Sequence, residues 1–482
     1  MSVNTHPVFA LLPLMLDRLP VEFSALLRQA GVPVQNVEEG GPAGQFVLYD
    51  ARMVPFPVLQ PGQMPLDVSA WWPAEGVQAE GKTTRRAWMF QGYQLEEDVA
   101  CHNLKDVRGP LLAGLKLAVE AAGGVWATFA VCPFPYRSAF NMRLDYDEFH
   151  AADFASVQRS VAQMPEAFSH YLCASSHAPQ SEALNQLRGH DVGSHGFWHY
   201  THANRADNLH NIWRGILALQ DAGIDPVGFV APHGRFNAAL LEVLTTLGVP
   251  YSSEFACSYD DLPFYPAQGR VLQLPVHPVC LGLFLEAARR AGKTSEFEQH
   301  HAANACADYF QQVARIKYKN AEPIFFYGHP DGRLGRYPQV LQRLLDEVGT
   351  FGSLWKTTFR QFAGWWQQRL KAKAWLYRQG DRFLLQTSQR PTGWTAMVEF
   401  WRGSLVARLP VREDRIPFTP AALVYEPQRV AEMPGSQPLP QETYWKAKLR
   451  QELDWERTTP PEELKNRSLR GWTKWFLRRM AG

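Results

Sequence analysis

The six cysteines of this sequence (Cys101, Cys132, Cys173, Cys257, Cys280 and Cys306) form no C-x-x-C pair. They lie in apolar or mixed segments, which argues against a redox or zinc-ribbon motif and predicts buried, reduced thiols in a cytoplasmic protein. Net charge is nearly absent. Lys+Arg 49 against Asp+Glu 47 leaves +2, so no global field gathers a polyanion, and nucleic acid is not an expected partner. Long apolar runs are missing too, because prolines and charges interrupt every stretch before the ~20 residues that a spanning helix needs. Residues 8–16 are apolar but have neither a basic leader nor a small-residue cleavage site, so a signal peptide is not expected. There is no internal repeat, and the H-E-x-x-H pattern with its helix-borne base does not occur.

What is present is a globular composition, 46% hydrophobic and 20% charged, in 482 residues, more than one ordinary core accommodates. Residues 1–134 read as an N-terminal α/β accessory region without a chemical motif. Apolar residues recur at helical spacing over 8–30, a strand follows in GQFVLYD, and a helix at 111–122 precedes a strand at 125–131. Over 135–372 short apolar strands alternate with helical stretches such as 154–164 and 238–247. FNMRLDYD, AFSHYLCA, HDVGSHG, PVGFVAP, YSSEF, VLQLPV and PIFFYGH are the predicted strands. About seven β-α units of this kind predict an α/β fold, a distorted (β/α) barrel with its site at the carboxyl ends of the strands. Residues 373–426 alternate as a small C-terminal β domain, and 427–482 read as a Pro-rich linker and a basic tail.

The chemistry concentrates in the barrel segment. Asp145 and Asp147 are two residues apart on one predicted strand and share a face. His195 and His199 stand at i and i+4, which on a helical turn brings both rings to one metal. Two histidines and one carboxylate leave coordination positions open, as a catalytic site requires; His202 is a further nitrogen on the surface or behind the site. Such a set takes one divalent ion, zinc first, with cobalt, nickel or iron also accommodated.

RLDYDE, SHGFWH, GFVAPHGRF and FFYGHP, in this order, resemble the successive motifs of the polysaccharide deacetylases (carbohydrate esterase family 4), which include chitin-oligosaccharide and peptidoglycan deacetylases. The resemblance covers about half the chain. It implies that Asp145 is the general base, that Asp147, His195 and His199 hold the metal, and that His329 is the general acid; His277 in LPVHP, which also follows an apolar run, is its rival. It also implies that Pro232 and Gly234 shape one wall of a substrate groove. Arg235 and Trp198 are further candidates for substrate contact, and Asp260 and Asp261 for support behind the site. Relatives carry an arginine where this chain has Val230; Arg143 or Arg235 are the candidates to replace it in orienting Asp145.

The function expected is hydrolytic removal of an N-acetyl group from an acetylated sugar during assembly of a surface polysaccharide. The alternatives are a deformylase or O-deacetylase acting on a lipid-linked sugar, and a non-catalytic glycan-binding protein on the same barrel. The tail at 468–482 carries Trp472, Trp475 and Phe476 among Arg470, Lys474, Arg478 and Arg479, the pattern of an amphipathic helix lying on the inner face of an anionic membrane. Oligomeric state is not encoded in any motif.

Overall fold

The computed structural model describes residues 9–38, 44–74, 77, 82–257, 259–266, 269–379, 382–419, 423–426, 429–430, 432 and 437–438. The expected amphipathic tail lies outside them.

The helical spacing over 8–30 does not produce one helix. Pro13 and Pro20 punctuate it, and the chain forms strands Phe9–Leu12 and Leu14–Leu16 before helix Val21–Gln29. Leu11, Leu12, Leu14, Met15 and Leu16 are all buried, so the run is apolar on both faces and its period carries no information. Strands Val34–Asn36, Leu14–Leu16, Phe46–Tyr49 and Met64–Asp67 then pair in parallel, in that order. An antiparallel hairpin, Lys82–Phe90 with Tyr93–Cys101, leads into helix Leu104–Ala121, which begins earlier than the predicted 111 and contains Pro110.

The centre is a parallel α/β sheet. Strand Ser138–Tyr146 pairs over residues 142–146 with Phe168–Leu172 on one edge and over residues 140–144 with Ile324–Gly328 on the other. Asp191–Ser194 extends the first edge, and Leu354–Lys356 pairs with residues 138–140. Ser138–Tyr146 is buried throughout. Phe140, Met142, Leu144 and Tyr146 enter the apolar cluster shared with the surrounding helices, while Asn141, Arg143 and Asp145 occupy the alternate face.

The predicted barrel is not closed among the described residues. Tyr251–Ser252 and Leu272–Gln273 form a separate parallel pair. Short runs of backbone hydrogen bonds rather than extended strands span the gaps: Val227 N–H donates to Val192 O at 2.8 Å and Val230 N–H to Ser194 O at 3.1 Å, Phe229 bridges Ser194 and Ser252, and the His277 N–H donates to Phe325 O at 2.8 Å. Pro226, Pro232, Pro250 and Pro275 flank these segments and remove backbone donors where a continuous ladder would need them. PVGFVAP therefore contributes a bridge, not a strand.

The strands expected over 373–426 form, but they hydrogen-bond to the N-terminal region. Lys373–Gln379 pairs with Phe9–Leu12, and Met397–Arg402 pairs with Trp126–Phe129, both antiparallel. One apolar cluster runs through Phe23, Phe46, Trp126, Trp366, Leu376 and Phe400 and joins the N-terminal region and the strands over 373–418 to the central sheet. Among the described residues no helix is long and apolar enough to cross a membrane.

Candidate metal centre

Strand Ser138–Tyr146 carries a polar file on its inner face. Burying such groups is costly unless each is paired. Asn141 Nδ2 donates to Ser169 Oγ (3.0 Å) and Thr357 O (2.9 Å). Arg143 Nη2 donates to Asp145 Oδ2 at 2.7 Å, with both side chains about 5% exposed or less. The other arm of Arg143 donates to Ser253 O (2.5 Å) and Oγ (2.9 Å), and its guanidinium lies 4.9 Å from the Tyr327 ring centre. Of the two candidates to replace the missing arginine, Arg143 contacts Asp145, whereas Arg235 lies over the Tyr200 ring at 5.5 Å.

His195 and His199 come together without the predicted helical turn. The chain leaves strand Asp191–Ser194 into a bend at Gly196, whose φ of 84° is a left-handed conformation that favours glycine. Asn211, on helix Arg205–Asp221, holds this bend: its Oδ1 accepts from Phe197 N (3.0 Å) and Trp198 N (2.8 Å), and its Nδ2 donates to Trp198 O (3.1 Å) and Tyr200 O (2.8 Å). Asn204 caps that helix by accepting from Asp207 N at 2.9 Å. The close approach of helix to bend requires Gly215, where a Cβ would lie 2.8 Å from both Gly196 C and Phe197 N.

The result is a compact donor set. Asp147 Oδ1 lies 3.3 Å from His195 Nε2 and 3.0 Å from His199 Nε2. His195 Nδ1 donates to Val230 O at 2.7 Å, which in the neutral ring leaves a lone pair on Nε2 facing the carboxylate. Asp147 Oδ1 is buried and makes no hydrogen bond. Two lone-pair atoms facing each other repel, so this geometry calls for a cation between them or a proton on the ring. The three side chains form a group whose ligand atoms all lie within 4.8 Å of one another, and carboxylate plus two imidazoles suits a divalent ion. Without such an ion, protons fill the role. Burial opposes the charged forms, but His329, His195 and His199 hold the Asp147 carboxyl well below its usual range, and Asp147 raises the pKa of His195.

His329 follows strand Ile324–Gly328, with Nε2 3.7 Å from Asp147 Oδ2. Arg333, which has only donors, hydrogen-bonds to His329 Nδ1, so Nε2 carries the ring hydrogen. Burial first, and then the Arg333 charge, push the His329 pKa well below its ordinary value. The rival His277 is elsewhere, buried with Nε2 2.9 Å from the Tyr309 hydroxyl. His202 is buried with its ring against Tyr200 and is not in the donor group.

Pro232 and Gly234 bound a tight turn in which His233 has φ 58° and Gly234 φ 57°. The exposed His233 meets the His199 ring edge-on, with centroids 4.6 Å apart. Trp198 is buried, packed edge-on to Phe197 and under the Arg214 guanidinium. Val230 places its side chain in the core and its carbonyl on His195. Asp260 pairs with Arg108 and Arg429 at 3.2 Å each, which gives its carboxylate partners away from the donor set.

Sequence reasoning missed Asn211, Ser253, His233, Arg333 and Glu254. Only Arg333, four residues after His329, left a local signal. Glu254 Oε1 accepts from Ala231 N at 3.2 Å, and Oε2 accepts from Ser252 Oγ at 2.5 Å, which ties the turn to the neighbouring strand. Burial pushes its pKa up to about 7.

No protein-family model and no curated sequence matches this chain. Among solved structures, it is similar to proteins described as polysaccharide deacetylases from Mycobacterium smegmatis (17% identity, TM-score 0.40, covering 49% of this chain and 93% of that one) and Pseudomonas aeruginosa PAO1 (16%, 0.38, 48% and 91%). It is also similar to a family 4 carbohydrate esterase from Streptomyces lividans in complex with acetate (15%, 0.30, 45% and 91%).

Proposed function

We propose that this protein is a metal-dependent hydrolase that removes the N-acetyl group from an acetylated sugar, in the cytoplasm, during assembly of a surface polysaccharide. The observation that carries the reading is the pairing of two differently partnered aspartates at one strand end. Asp147 faces two imidazole nitrogens, and Asp145, two residues before it, faces an arginine. Asp147, His195 and His199 would hold the ion. When bound, a divalent ion polarises a carbonyl and makes water more acidic.

The remaining work falls to the side chains. Asp145, fixed by Arg143 with its other oxygen unbonded, takes a proton from the attacking water. His329, held by Arg333 on Nδ1, presents Nε2–H to the same space and donates it as a hydrogen bond to the departing nitrogen. The proton that Asp145 takes from water is then delivered to that nitrogen, so the neutral ring loses no hydrogen. The balance is one water consumed, one carboxylic acid and one amine released.

Incubating the purified chain with N-acetylated, N-formylated and O-acetylated sugars tests the reading, with the released acid measured with and without a chelator. Acetate release from the N-acetylated sugars that stops on chelation is expected. Formate release, or acetate only from esters, selects the alternative enzyme readings. No release from any sugar, with glycan binding retained, selects the binding protein.

A further inference from the structure

Hairpin strand Tyr93–Cys101 runs beside the segment following Tyr251–Ser252: Ala100 bridges Phe255 in parallel, and Ala256 N–H donates to Ala100 O at 3.1 Å. That register carries His102 alongside Cys257, and the loop returns with Asp261. One ligand atom from each of the three half-buried side chains lies within 4.8 Å of the other two. His102 Nδ1 accepts from Leu104 N at 3.2 Å, while its Nε2 is buried with no hydrogen-bond partner. The ring is walled by Phe264 and Phe255, at 4.4 and 5.7 Å between centroids.

An imidazole nitrogen, a thiol and a carboxyl gathered in this way, with a buried polar atom left unpartnered, ask for an explanation that a core of satisfied groups would not need. The charges around them agree. Arg108 and Arg429 are matched by Asp260, and Lys317 and Arg429 by Glu322, at 2.5–3.5 Å, so neighbouring cations already have their own anions. A thiolate and a carboxylate together carry the charge that balances one divalent ion, and sulfur with imidazole selects zinc-class metals over magnesium or calcium.

We propose that His102, Cys257 and Asp261 form a second metal site of the zinc class, which fastens the junction of the hairpin and helix Leu104–Ala121 to the segments carrying Cys257 and Asp261. Uptake releases the thiol hydrogen and any hydrogen on the Asp261 carboxyl, whose pKa burial pushes up to about 7. The imidazole hydrogen moves from Nε2 to Nδ1, and the Leu104 contact is given up. The inference does not depend on the hydrolytic reading, because neither residues nor chemistry are shared with it.

Cobalt tests it on the full-length chain, since a thiolate bound to Co²⁺ absorbs in the near ultraviolet and the Asp147 donor set contains no sulfur. Metal-stripped protein titrated with Co²⁺ is expected to develop that band and to bind about two ions per chain, one for each donor set. Cys257→Ser should abolish the band and leave about one ion. His102→Gln and Asp261→Asn should weaken uptake at least ~10-fold, and Asp147→Ala should leave the band in place. Circular dichroism of each variant reports whether it folds, and the wild-type titration stands without the variants. Absence of the band in wild type overturns the proposal, as does its survival in Cys257→Ser or its loss in Cys101→Ser or Asp147→Ala.

Discussion

Asp145 and Asp147 differ by two positions and by everything around them. The face that Asp145 shares with Arg143 was legible, because alternation along a strand is local; Asp147 falls one residue past that strand. Ser253, which anchors the far arm of that arginine, is 110 residues away and left no signal at position 143. His329 presents the same contrast on a shorter scale: Arg333 sets which of its ring nitrogens carries the hydrogen, and burial first, then the Arg333 charge, lower its pKa. His329→Ala and Arg333→Leu should each lower turnover about 10²-fold while leaving metal content near wild type, since neither residue is placed to hold the ion. His277→Ala should leave turnover unchanged and lower stability by about 1–3 kcal/mol, because it strips the buried Tyr309 hydroxyl of its partner. Single-turnover kinetics and urea unfolding of the three variants separate these outcomes; a larger rate loss at His277 would move the proton donor there.

At the scale of elements, the i, i+4 spacing of His195 and His199 predicted that the rings come together, which they do, but not on a helical turn. The rings converge because a bend is pinned by Asn211, and that bend presses on Gly215 of the same helix. A helical glycine normally costs ~1 kcal/mol relative to alanine, so Gly215→Ala would stabilise an isolated helix. Here the added methyl meets backbone at 2.8 Å, and the bend must shift. Gly215→Ala and Asn211→Ala are each expected to weaken metal binding about 10–100-fold, the range seen when the support behind a ligand is removed. Isothermal titration with Zn²⁺ measures this, and a tighter site in Gly215→Ala would show that the contact does not position the histidines.

For the whole molecule, alternation revealed the strands over 373–426 but not their partners, because strands Phe9–Leu12 and Trp126–Phe129 lie more than 250 residues away in sequence. Periodicity reports which face of a segment is buried and says nothing of which edge it meets. Buried histidines add a property of the whole fold. His170 is fully buried between the Tyr146 hydroxyl and His190, and burial lowers its pKa to about 3. The unfolded chain binds a proton there near pH 6.5 and the native state does not. Stability from this group is therefore intact above that pH and is lost as pH falls from about 6.5 toward 3, by up to ~1.4 kcal/mol per unit. Urea unfolding at pH 7, 6 and 5 should show this slope, reduced in His170→Gln; an equal slope in the variant would place the acid sensitivity elsewhere.

The central claim is that two aspartates at the end of one strand do different work at one metal, and it is tested most directly by measuring metal content and acetate release on the same purified samples of two variants. Asp145→Asn should keep its metal and lose ~10²-fold or more in turnover, whereas Asp147→Ala should lose both together. An empty site in Asp145→Asn with metal and rate retained in Asp147→Ala would exchange the roles, and unchanged metal content in both would contradict the account.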